Sequence, residues 1–300
     1  MKTKPTLTIG IVAYNEAANI GRLLAALKNQ DIESADLVQT VVISDASTDD
    51  TDDIVRTIGG KEVQLIRHPK RSGANEALNT LIKNVTSDLL AIFDADVLPE
   101  NNHIVENLIR PFVINDKIGL TSGMLIPAKP LTLVEQVLAR THVFKTEFFS
   151  KLPSVNYIYL SVGPIRAVSR NFYSLFYYPD QVPNDAYAYL KCRKIGLAFE
   201  YVPSARVIFR CPSTLKDHGK QSSRFASGRQ QLIEEFNGQA KAAYALPLMP
   251  TIIAVAGEAI RHPIMSFFAG YFALFFYTKM IFKQKQFTTK WDVAASSKKI

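Results

Sequence analysis

The sequence predicts an α/β fold: a mostly parallel sheet flanked by helices, ending in an apolar helical segment. Three observations carry that reading. Short apolar runs alternate with stretches of helical periodicity through the first 120 residues, as expected of strands covered on both faces. Polar residues gather just past the ends of those runs, where open α/β sheets bind ligands. From residue 239 the chain turns apolar and aromatic, and then closes on lysines.

Strands are expected at LTIGIVAY (7–14), LVQTVVIS (37–44), VQLIRH (63–68) and DLLAIFDA (88–95). Between the first two, Ile20, Leu23, Leu24 and Leu27 follow the spacing of one apolar helix face. The stretch STDDTDDIVRTIG opens with Ser47 or Thr48 as an expected N-cap and acids in the first turn. SGANEALNTLIKNV reads as a third helix, and PEN restarts a fourth with Pro99 in its first turn. Beyond residue 120, LTLVEQVLARTHVFKTEFF and NDAYAYLKCRKIG read as helical segments, and RVIFR as a strand. The organisation expected is a globular domain over 1–238 (a nucleotide-binding half, 1–120, and an acceptor-side half, 121–238), apolar helices over 239–283 and a basic tail over 284–300.

The 300 residues are 47% hydrophobic, which excludes intrinsic disorder. The net charge of +8 is concentrated at the end, where six lysines and only Asp292 follow from Lys279. Next to the uncharged runs 242–257 and 264–278, that basic flank points to the cytoplasmic face of a membrane rather than to nucleic acid. Whether those runs span or lie at the surface stays open. Cys192 and Cys211 show no metal-ligand spacing and fit buried thiols in a reducing compartment. The N-terminus lacks a signal peptide's long apolar core.

The strand ends present Asn15 and Glu16, then Asp45, then Asp94 and Asp96 toward one crevice. Two aspartates one residue apart on an extended backbone point the same way. Two hard oxygen donors suit Mg2+ or Mn2+, which bind through one or two carboxylates plus substrate phosphates. Alone, a D-x-D tripeptide also fits a solvated loop or a helix cap.

In order, AYNEAANIGRLLAAL, VVISDASTDDT, RSGANEALN, LLAIFDADV, PNDAYAYLKCRKIG and KQSSRFASGRQQ resemble family 2 glycosyltransferases of the GT-A, Rossmann-like fold, over roughly residues 5–235. The resemblance implies that Tyr14, Asn15, Glu16 and Asp45 hold the base and ribose of a donor nucleotide. It places Asp94 near the ribose and diphosphate and Asp96 on the metal. Asp185 matches the general base, and Gln221, Arg224 and Phe225 match the segment closing over diphosphate and acceptor. One base and one in-line displacement imply inversion.

Some residues depart from the family pattern. Asn184 stands where Glu is frequent, and helix capping is an ordinary role for either Asn184 or Asp185. Ala74 stands where Lys is common, with Arg71 either supplying the charge or serving as a surface arginine. Phe225 replaces Trp, keeping a stacking plane without the indole donor. His218 could ligate a metal or phosphate, though a lone histidine in a polar loop is more often unligated.

The resulting expectation is an inverting, metal-dependent glycosyltransferase. It would move a sugar from a nucleotide-diphosphate donor, expected to be UDP-linked, to a lipid or saccharide acceptor at the cytoplasmic face of the cell membrane. A sugar-phosphate nucleotidyltransferase is disfavoured, because AYNEAANIG carries no Lys or Gly-rich loop for a triphosphate. An inactive membrane-tethered scaffold is the third reading.

Overall fold

A computed structural model describes residues 3–180, 182–281 and Ile300, with the side chains at 155, 156, 223–227 and 277–281 outside that description. Strands β1 (Thr6–Ala13), β2 (Asp36–Ser44), β3 (Val63–Arg67) and β4 (Leu89–Asp94) alternate with helices α1 (Ile20–Lys28), α2 (Thr51–Gly59) and α3 (Ala74–Lys83). There follow β5 (Val97–Pro99), α4 (Ile104–Ile114), β6 (Ile118–Pro127), α5 (Leu133–Phe149), β7 (Ile165–Ser169), α6 (Arg170–Tyr173), α7 (Asn184–Lys194) and β8 (Ala198–Phe209). Helices α8 (Leu215–Phe236), α9 (Gly238–Tyr244), α10 (Leu248–Arg261) and α11 (Pro263–Ile281) complete the described chain.

Among the described residues the sheet has eight strands in the order β3-β2-β1-β4-β7-β6-β8-β5. The first four are parallel. β7 enters antiparallel between β4 and β6, β8 returns parallel to β6, and β5 forms an antiparallel edge on β8. The sheet is thus mixed and mostly parallel, as expected.

Period-two alternation divides the core. Leu89, Ala91 and Phe93 of β4 face Leu23, Leu24, Ile104 and Leu108 of α1 and α4. Leu90 and Ile92 face Leu78 and Leu81 of α3 together with Tyr187, Tyr189 and Leu190 of α7. Gly123 sits where the β6–β8 register shifts, and a Cβ there would lie 2.3 Å from the carbonyl oxygen of Ala205. Only a glycine lets the two backbones approach so closely at that bulge.

Two local expectations are corrected. Pro99 ends β5 instead of opening a helix, and α4 starts at Ile104. Val97–Pro99 pairs with Val207–Phe209 at the sheet edge, where a residue without an N–H is tolerated. Neither Ser47 nor Thr48 caps α2. The Asp49 carboxylate accepts the Thr51 N–H (3.1 Å), while Ser47 and Thr48 bond Asn15.

The C-terminal helices dock on the domain. Glu258 of α10 receives a bidentate pair from Arg140 of α5, at 2.5 and 2.7 Å. α11 meets α8 at Gly219, where a Cβ would strike the Phe276 ring at 2.5 Å. Their outer surface carries exposed Leu248, Met249, Ile252, Ile253, Phe267 and Leu274. The run Gly238–Arg261 is long and apolar enough to cross a membrane by length and composition, yet residues 245–247 break it between α9 and α10. Apart from Ile300, the tail expected over 284–300 lies outside the described residues.

Candidate active site

The crevice forms at the carboxyl ends of β1, β2 and β4. Two residues past β1, Asn15 lies in the left-handed region (φ 54°), a conformation that asparagine tolerates. Asn15 is locked there by its N–H to Ser47 Oγ (3.1 Å) and by the Thr48 N–H to its Oδ1 (2.7 Å). Glu16 is buried beside it, its N–H bonded to Thr51 Oγ1 at 2.8 Å and its carboxylate accepting from Asn19 Nδ2 at 3.2 Å.

Asp45 follows β2 and is also buried. Its Oδ1 accepts the Ser72 N–H (2.7 Å) and pairs with His68 Nδ1 (2.9 Å), while Oδ2 accepts the Gly73 N–H (2.8 Å). Gly73 has φ 100°, a conformation reserved for glycine, immediately before α3. Asp45 therefore fastens the loop 68–73, and that loop lays the Arg71 guanidinium 4.0 Å over the Tyr14 ring. Arg71 is consequently a half-buried partner of Tyr14 rather than a surface arginine.

Asp94 closes β4, and Asp96 lies in the turn that follows, not on an extended strand as expected. Burial raises the Asp94 carboxyl to about 7, reinforced by the Asp96 charge and opposed by Arg166, with Asp185 and Glu16 adding smaller upward pushes. Asp185 stands in the first turn of α7, and burial raises its pKa too, against the Ala186 N–H and Arg166. The N-cap of α7 is Pro183, so neither Asn184 nor Asp185 caps the helix. A Cβ at Gly163 would lie 3.5 Å from Asn184 Oδ1 and 4.0 Å from both Asp94 Oδ2 and the Asp185 Cβ. Gly163 therefore lies against all three of these groups, at ordinary contact distance.

The sequence reading missed three residues that hold this arrangement. Arg166 is 1% exposed in β7, opposite Ile92 of β4, and donates from Nη1 to Asn184 Oδ1 (2.9 Å). It is the guanidinium that opposes the charges of Asp94 and Asp185. Asn75 donates to the carbonyls of Pro179 (2.6 Å) and Val182 (2.9 Å), and Asn79 to that of Tyr178 (3.0 Å). Together they fasten the segment leading into α7 against α3. A signal was present: two asparagines four residues apart on one helix face, inside a buried run.

Gln221 lies on α8, which also carries His218, so that histidine is helical rather than in a loop. Arg224 and Phe225 share that helix, and their side chains fall outside the described residues. Among the described residues no three His, Cys, Asp or Glu side chains could hold a metal by themselves. Asp94 and Asp96 nonetheless suit a divalent cation whose shell the ligand completes, since each carboxylate raises the cost of ionising the other.

Comparison with known proteins shows what the chain is similar to. Residues 8–130 match the model of glycosyl transferase family 2. The chain is 24% identical to the probable glycosyltransferase YdaM of Bacillus subtilis over 294 residues, 92% of this chain and 64% of that protein. It is 26% identical to 4,4'-diaponeurosporenoate glycosyltransferase of Staphylococcus haemolyticus over 58% of this chain and 47% of that one. It therefore spans less than two thirds of the length of either relative. Among solved structures, the mannosyltransferase PcManGT of Pyrobaculum calidifontis, in complex with GDP-Man and Mn2+, superposes with a TM-score of 0.64 at 20% identity, over 93% of this chain and 84% of that one. Glucosyl-3-phosphoglycerate synthase of Mycobacterium tuberculosis, with Mn2+, UDP and phosphoglyceric acid, gives 0.55 at 17% identity over 78% and 79%. Through residues 8–130 the chain is similar to glycosyl transferase family 2, and its fold is GT-A.

Proposed function

We propose that the protein is an inverting glycosyltransferase that moves a sugar from a nucleotide-diphosphate donor to an acceptor hydroxyl at the cytoplasmic face of a membrane. The observation that carries this reading is the convergence of Asp94, Asp185 and Asn184 around Gly163, with Arg166 opposing the charges of the two carboxylates. GDP-Man and UDP, bound in the two solved structures, are a donor of this class and the nucleotide that such a donor leaves behind.

Tyr14, Asn15 and Glu16 would line the nucleotide end, with Arg71 beside the phosphates. Asp45 is assigned to positioning the 68–73 loop, since both its oxygens are engaged there. Asp96, with Asp94, would hold Mg2+ or Mn2+, which when bound supplies positive charge to the leaving diphosphate. Asp185 takes the proton of the acceptor hydroxyl. The acceptor oxygen forms the new bond to the anomeric carbon, and the bond to the diphosphate breaks with its electron pair leaving on the diphosphate oxygen. A carboxylate whose pKa is raised by burial is the stronger base for that step. Gln221, Arg224 and Phe225 would close over the diphosphate and acceptor, as the family resemblance implies. The exposed apolar faces of α10 and α11 support placement at a membrane surface.

The test is transfer itself. Purified protein with Mn2+, a panel of UDP- and GDP-sugars and native membranes should label an acceptor, and Asp185→Asn should remove the labelling. Release of pyrophosphate from a nucleoside triphosphate in its place would make the protein a nucleotidyltransferase.

A further inference from the structure

A cavity of about 420 Å³ lies between α5, α8 and α11, outside the acid crevice but adjoining it. Its wall includes Phe209, which pairs in the sheet with Val97, the residue after Asp96. The polar part of the lining includes Lys145, His142 and Thr141 from α5 with His218, Gln221 and Ser222 from α8, and among the described residues no carboxylate lines it. The apolar part comes from α5, from Phe209 and from α11, where Ala269 and Ala273 leave space that larger side chains would fill.

The basic groups are not all equivalent. His142 bonds the Leu125 carbonyl oxygen through Nε2 (3.0 Å), so that nitrogen carries the proton and donates. Burial lowers the pKa of His142 and of His218, leaving both imidazoles largely neutral near pH 7. Lys145 is then the cation of the cavity. Solvent reaches it, yet the apolar surroundings lower its pKa, and among the described residues it has no ion-pair partner. An ammonium in an apolar-walled pocket without a counter-ion favours an anion. The helix walling the cavity also exposes Phe267, Tyr271 and Leu274, continuous with the exposed Leu248, Ile252 and Ile253 of α10. The ligand that satisfies both features has an anionic head and a long apolar chain.

We infer that this cavity is the acceptor site, and that it takes a lipid with a phosphate head, the phosphate on Lys145 and the chain along α11. The inference rests on the glycosyltransferase reading for the word acceptor, while the lipid site itself does not. The hydroxyl deprotonated by Asp185 would belong to a group attached to that phosphate head, since the phosphate oxygens are themselves largely ionised near pH 7.

The test titrates the full-length protein in detergent with dodecyl phosphate, dodecanol and inorganic phosphate, in parallel with UDP or GDP plus Mn2+. Dodecyl phosphate should bind more tightly than dodecanol. Lys145→Met should weaken dodecyl phosphate about tenfold, the scale of one lost charge-assisted hydrogen bond, and leave dodecanol unchanged. Ala273→Trp, which fills the cavity, should weaken both amphiphiles, while neither variant alters nucleotide binding. Dodecyl phosphate binding indifferent to both substitutions would overturn the site. Inorganic phosphate matching dodecyl phosphate in affinity would reduce it to an anion site and overturn the lipid assignment. If neither nucleotide binds the wild type while dodecyl phosphate does, the glycosyltransferase reading fails and the lipid site stands.

Discussion

The parallel half of the sheet and the C-terminal helices solve opposite problems. Around β1–β4 every strand is covered on both faces, and the polar groups at the strand ends are tied to one another or to backbone. α10 and α11 meet α5 and α8 through contacts that include the Arg140–Glu258 ion pair, the close approach of Phe276 to Gly219 and the edge contact of Phe276 with His218, and among the described residues they leave a broad apolar surface uncovered. The first region is finished by its own burial. Among the described residues nothing covers the apolar face of the second. Under the proposed function, the contrast would put donor chemistry on the self-sufficient part and acceptor handling on the part with the uncovered face.

The largest effect should come from Asp185→Asn, which leaves the fold and removes the base. Turnover should fall by about 10²–10⁴-fold in a sugar-transfer assay, with donor affinity kept. Loss of donor affinity in parallel would move Asp185 into the nucleotide site and blur the comparison.

Arg166→Met should be next, and its effect falls on stability. Removing a guanidinium that is 1% exposed leaves Asp94 and Asp185 without their counter-charge and Asn184 without its donor. Denaturant unfolding should show a loss of about 3–5 kcal/mol. Gly123→Ala should cost less, about 1–3 kcal/mol, because the β6–β8 bulge must open to admit the methyl group.

Asp94 provides a pH test of the same region without metal. Its folded pKa is raised to about 7, above the unfolded value, so between about pH 4 and 7 the folded state binds the more protons. Stability of the metal-free protein should fall as pH rises through that window and level off above it, and Asp94→Asn should flatten the slope in thermal melts. Mn2+ should restore stability at pH 8 to the wild type alone.

The smallest effect on folding belongs to the outer face. Ile253→Lys should change unfolding by no more than about 0.5 kcal/mol, since the side chain is already exposed. The same substitution should reduce sedimentation with zwitterionic vesicles, on which the added charge gains no electrostatic attraction. A large loss of stability would mean that this face is packed within the protein after all.

The first half was legible because its signals are local. Runs of Val, Ile and Leu bounded by Asn, Asp and Gly mark strands, and Ile20, Leu23, Leu24 and Leu27 mark a helix face. The insertion of β7 between β4 and β6 was not legible, since strand order depends on pairing between segments distant in the chain, such as Leu89 with Ser169 and Leu120 with Val168, rather than on any run. Arg166 was hidden for the same reason: an arginine in a short strand reads as exposed until β4 and α7 are seen to enclose it. Pro99 misled because a proline suits a helix start and a sheet edge equally. Asp45 stands at the strand end where it was expected, but its oxygens are directed to the backbone of Ser72 and Gly73.

The central claim is that the acids past β4 bind a metal and nucleotide diphosphate while Asp185 performs the chemistry. Calorimetric titration of a nucleotide-diphosphate sugar in Mn2+ against wild type, Asp96→Asn and Asp185→Asn tests it most directly. Wild type and Asp185→Asn should bind alike, and Asp96→Asn should lose binding, as should wild type with the metal chelated. Equal binding by all three proteins, with or without metal, would contradict the claim.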